Sequence, residues 1–459
     1  MKEKIKIIGF QSGHDVAYCV LEDGIPVLHE EWERYSRAKM EIGDGLKFLF
    51  SKNENFKDVK YFTFGNPGGR SGRWKSQCGD ESAQRNMDNI LAKNGGKYYE
   101  FDHHLCHAAN AFYTSDFEES LIITADGGGS NVNGFLTALT ISEGIGNKVY
   151  KIKEFPASEI NLGKLWTRIT GDVMGLSTGY PEGDQAGTVM AMATYGNPKY
   201  LDLVSKKRIR FRKLKSLASR SDQDRFDVAA SLQTYTENTF RKYISHYIDQ
   251  YDYDNLCLSG GVSLNCLMVG KIKEWFPQIK NIYTPPVPYD AGLPIGAAQY
   301  IYHNELNYPR VKWNDNSPTY LGEVYGKDKI DEAIKKYDGK IVVEKCDDDK
   351  VVDLLDEQNI ISVFGGGSES GRRALGNRSI LADPRSPKMK DMINEKVKHR
   401  QWFIGKSLDT SCPMGPWITS ADEVDAENLN IKCWVNGELR QEANTRDLIF
   451  DIPTFFFPY

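Results

Sequence analysis

Two histidines four residues apart, His103 and His107 in DHHLCHAANAF, and two aspartates flanked by apolar segments, Asp126 in SLIITADGGG and Asp290 in YTPPVPYDAGLPIGAA, make a set suited to one divalent cation. If HHLCHAANAF is helical, the four-residue step puts both imidazoles on one face, where they can share an ion. Asp126 then projects from a strand end, where functional residues gather in open α/β sheets. The plain alternative for HxxxH alone is a helix cap or a pair of core histidines, and Cys106 between them reads as a small buried filler. A second candidate is the turn holding His14 and Asp15, read as catalytic. Histidine can take a proton from an attacking hydroxyl near neutral pH, with Asp15 biasing its pKa or merely capping the turn. A turn histidine exposed to water is the alternative.

Glycine-rich turns form a further group. Gly260 and Gly261 follow the apolar run NLCLS, and the same pattern recurs at Asp126-Gly127-Gly128-Gly129 and at 183–187 in GDQAG. Only glycine lets backbone N–H groups approach phosphate oxygens closely, and a following helix N-terminus favours the negative charge. Each alone is as well explained by a tight turn. Three together at strand ends suggest the split nucleotide cleft of the actin-like ATPase superfamily. Arg372, Arg373, Arg378 and Arg385 sit among glycines in GSESGRRALGNRSILADPRSP, where guanidinium forks suit bidentate capture of an anion. Such a group repels itself unless an anion or carboxylates compensate it.

Positioning these residues requires alternating strands and helices. IKIIGF, AYCVLED and IPVLHEEW read as strands, the last two joined across a turn at Asp23 and Gly24. VKYFTFG, SLIITADGGG and GFLTALTIS continue the pattern. DVAASLQTYTENTFRKYISHYIDQY spaces its apolar residues at three and four, a long amphipathic helix leading into the buried strand NLCLSGG. The strand NIYTPP precedes Asp290 and the helix-forming IGAAQYIYHNEL. A linker is expected at about 314–329, followed by a strand KIVVEKC, a helix VVDLLDEQ and a strand IISVFG. The basic stretch KKRIRFRKLK at 206–215 reads as a solvated strand or loop.

The chain has 459 residues, 40% hydrophobic and 26% charged, with a formal charge of -5. Such a length fits about three ordinary domains or two large ones. The acidic balance argues against nucleic acid as a partner and for a small molecule. No apolar stretch approaches the roughly 20 residues needed to span a bilayer, and MKEKIKIIGF is too short in its apolar part for a secretory signal. The eight cysteines are scattered without a CxxC pair, as in a reducing compartment; the expected location is the cytoplasm, and oligomeric state is open.

HDVAYCVLEDG with ERYSRAK, HHLCHAANAFY, TADGGG, LSGGVSLN, DAGLPIGAA and RRALGNRSILADPRSPKMKDMINEKVKHRQWF, colinear from about residue 6 to 403, resemble the NodU/CmcH-type O-carbamoyltransferase family. The resemblance implies an α/β fold: an actin-like (ribonuclease H-like, two-subdomain) carbamoyltransferase domain at 1–320, a partial YrdC-like segment at 330–403 and a short β-rich tail at 404–459. It implies formation of carbamoyl adenylate from ATP and carbamoyl phosphate, then transfer of the carbamoyl group to a hydroxyl of a small-molecule or sugar acceptor. The implied metal, usually iron, falls on His103, His107, Asp126 and Asp290, and the catalytic histidine position on His14. The nucleotide cleft falls on Gly127, Gly128, Gly260, Gly261 and Asn265, and the arginines opening the YrdC-like part on Arg373 and Arg378. A kinase or ATPase of the same superfamily, or a non-catalytic remnant, are the alternatives.

The chain departs from the family pattern in three places. GTVMAMATYG replaces GKxMGLAxYG, with Thr188 and Ala191; GGSESGRRALG replaces GRMEFGPRALG, with Gly367 for an arginine and Arg372 for a proline. From about 401 to 453 the chain instead resembles the fumarylacetoacetate hydrolase family, in IGKSLDTSCPMGPWI and in WVNGELRQ, whose Asn436-Gly437 is a two-residue hairpin signal. That family's metal-binding carboxylates lie upstream of the stretch present, so Lys406 is read as a surface or turn residue. The expectation is a junction of two families at QWF, impaired carbamoyl adenylate formation, and a loosely packed tail with exposed Phe455, Phe456, Phe457 and Tyr459.

Overall fold

The computed structural model describes residues 4–52, 56, 58–65, 80–131, 133–176, 185–205, 209–311, 318–396, 430–435 and 438–444. Met1–Asp391 form one compact unit and Met392–Tyr459 a second.

The first unit is built on two five-stranded sheets with the same plan. In the first, β1 (Lys6–Gln11) pairs antiparallel with β2 (Ala17–Glu22) and β2 with β3 (Ile25–Glu31), while β4 (Tyr61–Phe64) and β5 (Lys97–Glu100) extend the other edge in parallel. In the second, β6 (Glu119–Ser130), β7 (Leu136–Ile145) and β8 (Lys148–Pro156) form the antiparallel side, and β9 (Asn255–Ser259) and β10 (Asn281–Tyr283) the parallel side. The orders β3-β2-β1-β4-β5 and β8-β7-β6-β9-β10 are equivalent, with β1 and β6 as the corresponding central strands. Asp23 and Gly24 close the β2–β3 hairpin with φ of 48° and 90°, the two left-handed residues that a tight hairpin needs.

Helices cover both faces of each sheet because the central strands are apolar on both sides. α1 (Gly45–Lys52) and α2 (Glu81–Asn94) place Phe48, Leu49, Met87 and Leu91 against Ile8, Phe10, Phe62 and Phe64. α3 (His103–Thr114) lies on the second sheet. The face of that sheet away from α3 takes Phe240, Ile244 and Ile248 of the long helix α6 (Asp222–Gln250). Each such buried side chain contributes about 1.5–3 kcal/mol. The N-terminal half of α6 packs on a helical layer that includes α4 (Leu162–Arg168) and α5 (Phe211–Ala218). α7 (Leu293–Tyr300) covers the first sheet and meets α3 so closely that a Cβ on Gly296 would lie 1.9 Å from the Cys106 carbonyl oxygen. Glycine at 296 is thus what brings the Asp290 end of α7 beside the histidine face of α3.

The basic stretch departs from its expected form: Phe211–Ala218 is helical, and it buries Leu214, Leu217 and Ala218 while its lysines face water. Residues 206–208, like Gly183 and Asp184, lie outside the described residues. Within the expected linker, 319–322 is packed: His29 N–H donates to Leu321 at 2.8 Å, and Gly322 N–H to Ser368 at 3.0 Å. KIVVEKC is not a strand, and Val342 is 86% exposed. An apolar run becomes a strand only where a neighbour takes its backbone groups, and β11 (Ile361–Phe364) pairs instead with β12 (Arg378–Leu381). The helix expected in VVDLLDEQ is present at Asp348–Asp356. In the second unit, β13 (Asn430–Val435) and β14 (Glu438–Asn444) pair antiparallel; Asn436 and Gly437 lie outside the described residues. Lys406 and the aromatic residues 455–459 lie outside the described residues.

Candidate metal centre

Three segments converge at the ends of the central strands. α3 is almost wholly buried, and its four-residue step brings the Nε2 atoms of His103 and His107 to 3.1 Å of each other. Asp126 sits where β6 slips register against β7 between Ala125 and Gly129, a bulge that frees its side chain from the sheet. Asp290 opens a 3-10 turn, Asp290–Gly292, that leads into α7. Its approach loop is held by Asn110, which donates to the Val287 carbonyl at 2.8 Å.

The resulting cluster has one donor atom from each of the four residues, all within 4.8 Å of one another. His103 Nε2 lies 3.0 Å from Asp126 Oδ2 and 3.5 Å from Asp290 Oδ1; His107 Nε2 lies 3.6 and 3.5 Å from the same two atoms. Ligands bound at about 2.1 Å from one cation are separated by about 3.0 to 3.4 Å when adjacent, so the spacing fits a shared ion. The Nδ1 atoms of both histidines are buried without a hydrogen-bond partner among the described residues, which leaves packing to set the rings. Gly129 shows how: a Cβ there would lie 2.1 Å from the His103 ring. His104, between the two, is turned away. Its Nδ1 meets Thr124 at 2.6 Å and its Nε2 the Thr137 carbonyl at 2.9 Å; burial and the neighbouring histidines lower it to about 3, a neutral core residue.

His14 flanks the cluster. Its Nε2 is 3.6 Å from Asp290 Oδ2, and its Nδ1 is 3.0 Å from Asp15 Oδ2. The turn is pinned by paired backbone bonds between Gly13 and Gly43 and takes Gly13 and Asp15 into positive φ, 99° and 52°. Asp15 Oδ1 accepts from Arg372 at 2.8 Å, and the Arg372 guanidinium stacks 4.1 Å over Tyr289, whose hydroxyl donates to Glu31 at 2.6 Å. Burial alone would raise Asp15, but His14 and Arg372 outweigh it and hold the carboxyl below its usual range. Burial likewise opposes a charge on His14, and the Asp15 hydrogen bond with the Asp290 and Asp126 charges overcomes it, raising His14 to about 9. The Arg372 contact, spanning 357 positions, was not visible in the sequence beyond the departure from proline.

The remaining candidates are placed as follows. Gly261 N–H donates to Asp126 Oδ1 at 3.2 Å, and a Cβ on Gly260, whose φ is 87°, would lie 2.2 Å from the Ala125 carbonyl. Both glycines therefore seat Asp126. Gly127 abuts the start of α4, and Gly128 adopts a φ of 123° beside Leu136. Asn265 is buried in an amide pair with Gln233, giving at 2.8 Å and receiving at 3.0 Å. Of the four arginines, Arg372 is bound to Asp15, Arg385 to Asp383 and Asp356, and Arg378 donates to the Gly365 carbonyl at 2.6 Å while stacking on Phe364. Arg373 is exposed. Carboxylates and carbonyls thus compensate three of the four. The ALGNR loop closes instead around Glu369, whose Oε1 accepts N–H groups of Leu375, Asn377 and Arg378 at 2.8, 2.8 and 3.0 Å.

The electrostatics make a prediction about cation binding. Burial lowers His107, but its hydrogen bonds to Asp126 and Asp290 and their charges dominate and raise it to about 9. A raised imidazole stabilises the cation-free fold fully below its ordinary value near 6.5 and loses that contribution as pH rises through about 9. A cation must displace this proton, so its apparent affinity is expected to rise about tenfold per pH unit and to level off above the folded value. Calorimetric titration of zinc or ferrous ion in buffers of different ionisation enthalpy checks this; binding that releases no proton at neutral pH contradicts it.

The Carbamoyltransferase N-terminus family matches residues 88–215 and 201–299, the Carbamoyltransferase C-terminus family 352–413, and the Fumarylacetoacetate (FAA) hydrolase C-terminal family 386–456. The last two overlap at 386–413, a stretch that includes Gln401, Trp402 and Phe403. Nodulation protein NolNO of Sinorhizobium fredii is 33% identical over 326 residues, 66% of this chain and 45% of its own length. Oxaloacetate tautomerase YisK of Bacillus subtilis is 51% identical over 57 residues, 12% of this chain and 19% of its own. Among solved structures, T. kodakarensis HypF aligns with a TM-score of 0.44 at 14% identity, over 66% of this chain and 48% of that one. The chain spans about half the length of the first curated relatives it matches, 53% and 45%. No described helix is long and apolar enough to cross a membrane. With the N-terminal and C-terminal regions present in order, the chain belongs to the carbamoyltransferase family.

Proposed function

We propose that this chain is an O-carbamoyltransferase, moving a carbamoyl group from carbamoyl phosphate, by way of ATP-derived carbamoyl adenylate, to a hydroxyl of a small-molecule or sugar acceptor in the cytoplasm. The observation that carries this reading is the convergence of His103, His107, Asp126 and Asp290 with His14 beside them, in a chain of this family. The duplicated sheets support an actin-like architecture for 1–320, with 330–403 as a YrdC-like segment and 404–459 as a fumarylacetoacetate hydrolase-like fragment. We take the cation to be iron, one of several first-row metals that imidazole and carboxylate ligands accept. A divalent cation held by His103, His107, Asp126 and Asp290 would polarise the carbamoyl carbonyl and, by offsetting the charges of Asp126 and Asp290, would weaken the field that keeps His14 protonated.

The protein's own groups account for the rest. Asp15 accepts a hydrogen bond from the His14 Nδ1–H, which keeps the proton on Nδ1 and leaves Nε2 as the nitrogen that faces the centre. That nitrogen is the base for the acceptor hydroxyl. Arg372 fixes Asp15 in its ionised form and so holds the imidazole in that tautomer. Gly260 and Gly261 keep Asp126 aimed, and Gly127, Gly128 and Asn265 line the nucleotide side of the cleft. Arg373, exposed and without a carboxylate partner among the described residues, meets a phosphate; Arg378 shapes the loop that presents it.

The test separates the two half-reactions. The full chain, loaded with ferrous ion, is incubated with ATP, carbamoyl phosphate and a panel of sugar hydroxyl acceptors, and in parallel with preformed carbamoyl adenylate and the same panel. Carbamoylated product by mass spectrometry in the second arm is expected, whatever the rate of the first. Metal-loaded protein that transfers nothing from carbamoyl adenylate to any acceptor defeats the proposal.

A further inference from the structure

On the α4 side of the Asp126 loop lies a cavity of about 680 Å³. One wall is the β6–β7 hairpin, where Phe135 is 62% exposed and Leu136 48% exposed, an unusual outlay of apolar surface at a hairpin tip. The opposite wall is α4 with Phe211 of α5, and the Arg168 guanidinium lies 3.7 Å over the Phe211 ring while bonding Asp172 at 3.0 Å. Lys164 also lines the cavity, exposed and with no carboxylate partner among the described residues. The cavity is tied to the centre through backbone. Asn161 donates to the Gly127 carbonyl at 2.9 Å, and Gly163 packs so tightly on Gly127 that a Cβ would lie 2.4 Å from its nitrogen. Gly127 directly follows the ligand Asp126.

We propose that this cavity seats the hydroxyl acceptor, and that the acceptor is an anionic, ring-bearing polyol of the sugar-acid class; the assignment rests on the carbamoyltransferase reading above. Phe135 and Leu136 offer a flat apolar wall to a sugar or aryl ring face, which excludes water from it. The Lys164 ammonium, without a carboxylate partner among the described residues, selects a carboxylate, since such a cation gains most from a ligand anion. Arg168 is already neutralised by Asp172 and serves as a lid over Phe211. A neutral or polycationic polyol leaves Lys164 unmatched or repelled.

The probes are para-nitrophenyl glucuronide and para-nitrophenyl glucoside, which share ring and hydroxyls and differ by the carboxylate. Calorimetric titration of the metal-loaded full chain is expected to give glucuronide binding about tenfold tighter than glucoside, a difference of one charge-assisted contact. Lys164→Gln should erase that preference, and Phe135→Ala should weaken both ligands about tenfold; both positions are exposed, so the fold is spared. No saturable glucuronide binding, equal affinity for the two probes, a preference that survives Lys164→Gln, or competitive displacement by ATP overturns the assignment. Transfer from carbamoyl adenylate, read in the same preparations, keeps the two claims apart. Turnover with an unchanged acceptor KM in Lys164→Gln sinks the cavity alone, whereas Lys164-dependent binding without transfer supports the cavity and sinks the enzymatic reading.

Discussion

His107→Ala is expected to leave the purified chain without its divalent cation, with metal content falling from about one per chain to near zero. Loss of an outer-shell partner typically costs about 10- to 100-fold in affinity, and loss of a ligand itself costs more. The structure gives a reason to expect the larger effect here. His107 is fully buried, its Nε2 faces both Asp126 and Asp290, and no described neighbour other than His103 shares that position. Removing it leaves two carboxylates within 4.8 Å of His103 alone, too little to hold a divalent ion against water. Cys106→Ala is the matched control. Its thiol is also buried in α3 but points to Leu293 and the first sheet's side, so metal should be retained. Elemental analysis of both variants decides the matter: a His107→Ala protein that keeps a stoichiometric ion removes the cluster from consideration.

The legible parts of this protein are those governed by local periodicity. His103 and His107 declare themselves because a helix repeats every 3.6 residues, and His104 is excluded by the same rule, one residue off the face. Asp126 and Asp290 are legible as carboxylates in glycine-rich turns beside apolar segments. The β2–β3 hairpin is legible in Asp23-Gly24, since few residues accept two successive positive φ values. What the eye misses depends on partners elsewhere. Arg372 looks like one of four anion-seeking arginines until folding brings Asp15 to 2.8 Å from it, and Arg385 and Arg378 are likewise claimed by groups that only tertiary structure supplies. Gly261 looks like a phosphate-binding turn, yet its N–H is given to Asp126. KIVVEKC carries every mark of a strand except a neighbour to pair with. KKRIRFRKLK draws attention by its charge, but the signal that mattered was the run into α5, where Leu214 and Leu217 are three apart and both buried.

His14→Gln should lower carbamoyl transfer from preformed carbamoyl adenylate by about a hundredfold to ten-thousandfold, the range a positioned general base supplies, while leaving metal content unchanged. The split between the two readouts follows from geometry. His14 Nε2 stands 3.6 Å from Asp290 Oδ2, the oxygen opposite the one that faces His103 and His107, so it touches the cluster without belonging to it. Its side chain is also 40% exposed, open to an incoming hydroxyl where the four donors are not. Glutamine keeps a polar group in the turn and cannot accept a proton at neutral pH, so a loss of rate with intact metal isolates the chemical role from the structural one. Asp15→Asn should fall between wild type and His14→Gln, because the imidazole survives but loses the carboxylate that fixes its tautomer and keeps Arg372 paired. A His14→Gln enzyme with wild-type turnover would move the base elsewhere. The remaining histidines near the centre could not take its place, since His103 and His107 turn Nε2 to each other and to Asp126 and Asp290, and His104 spends both nitrogens on Thr124 and Thr137.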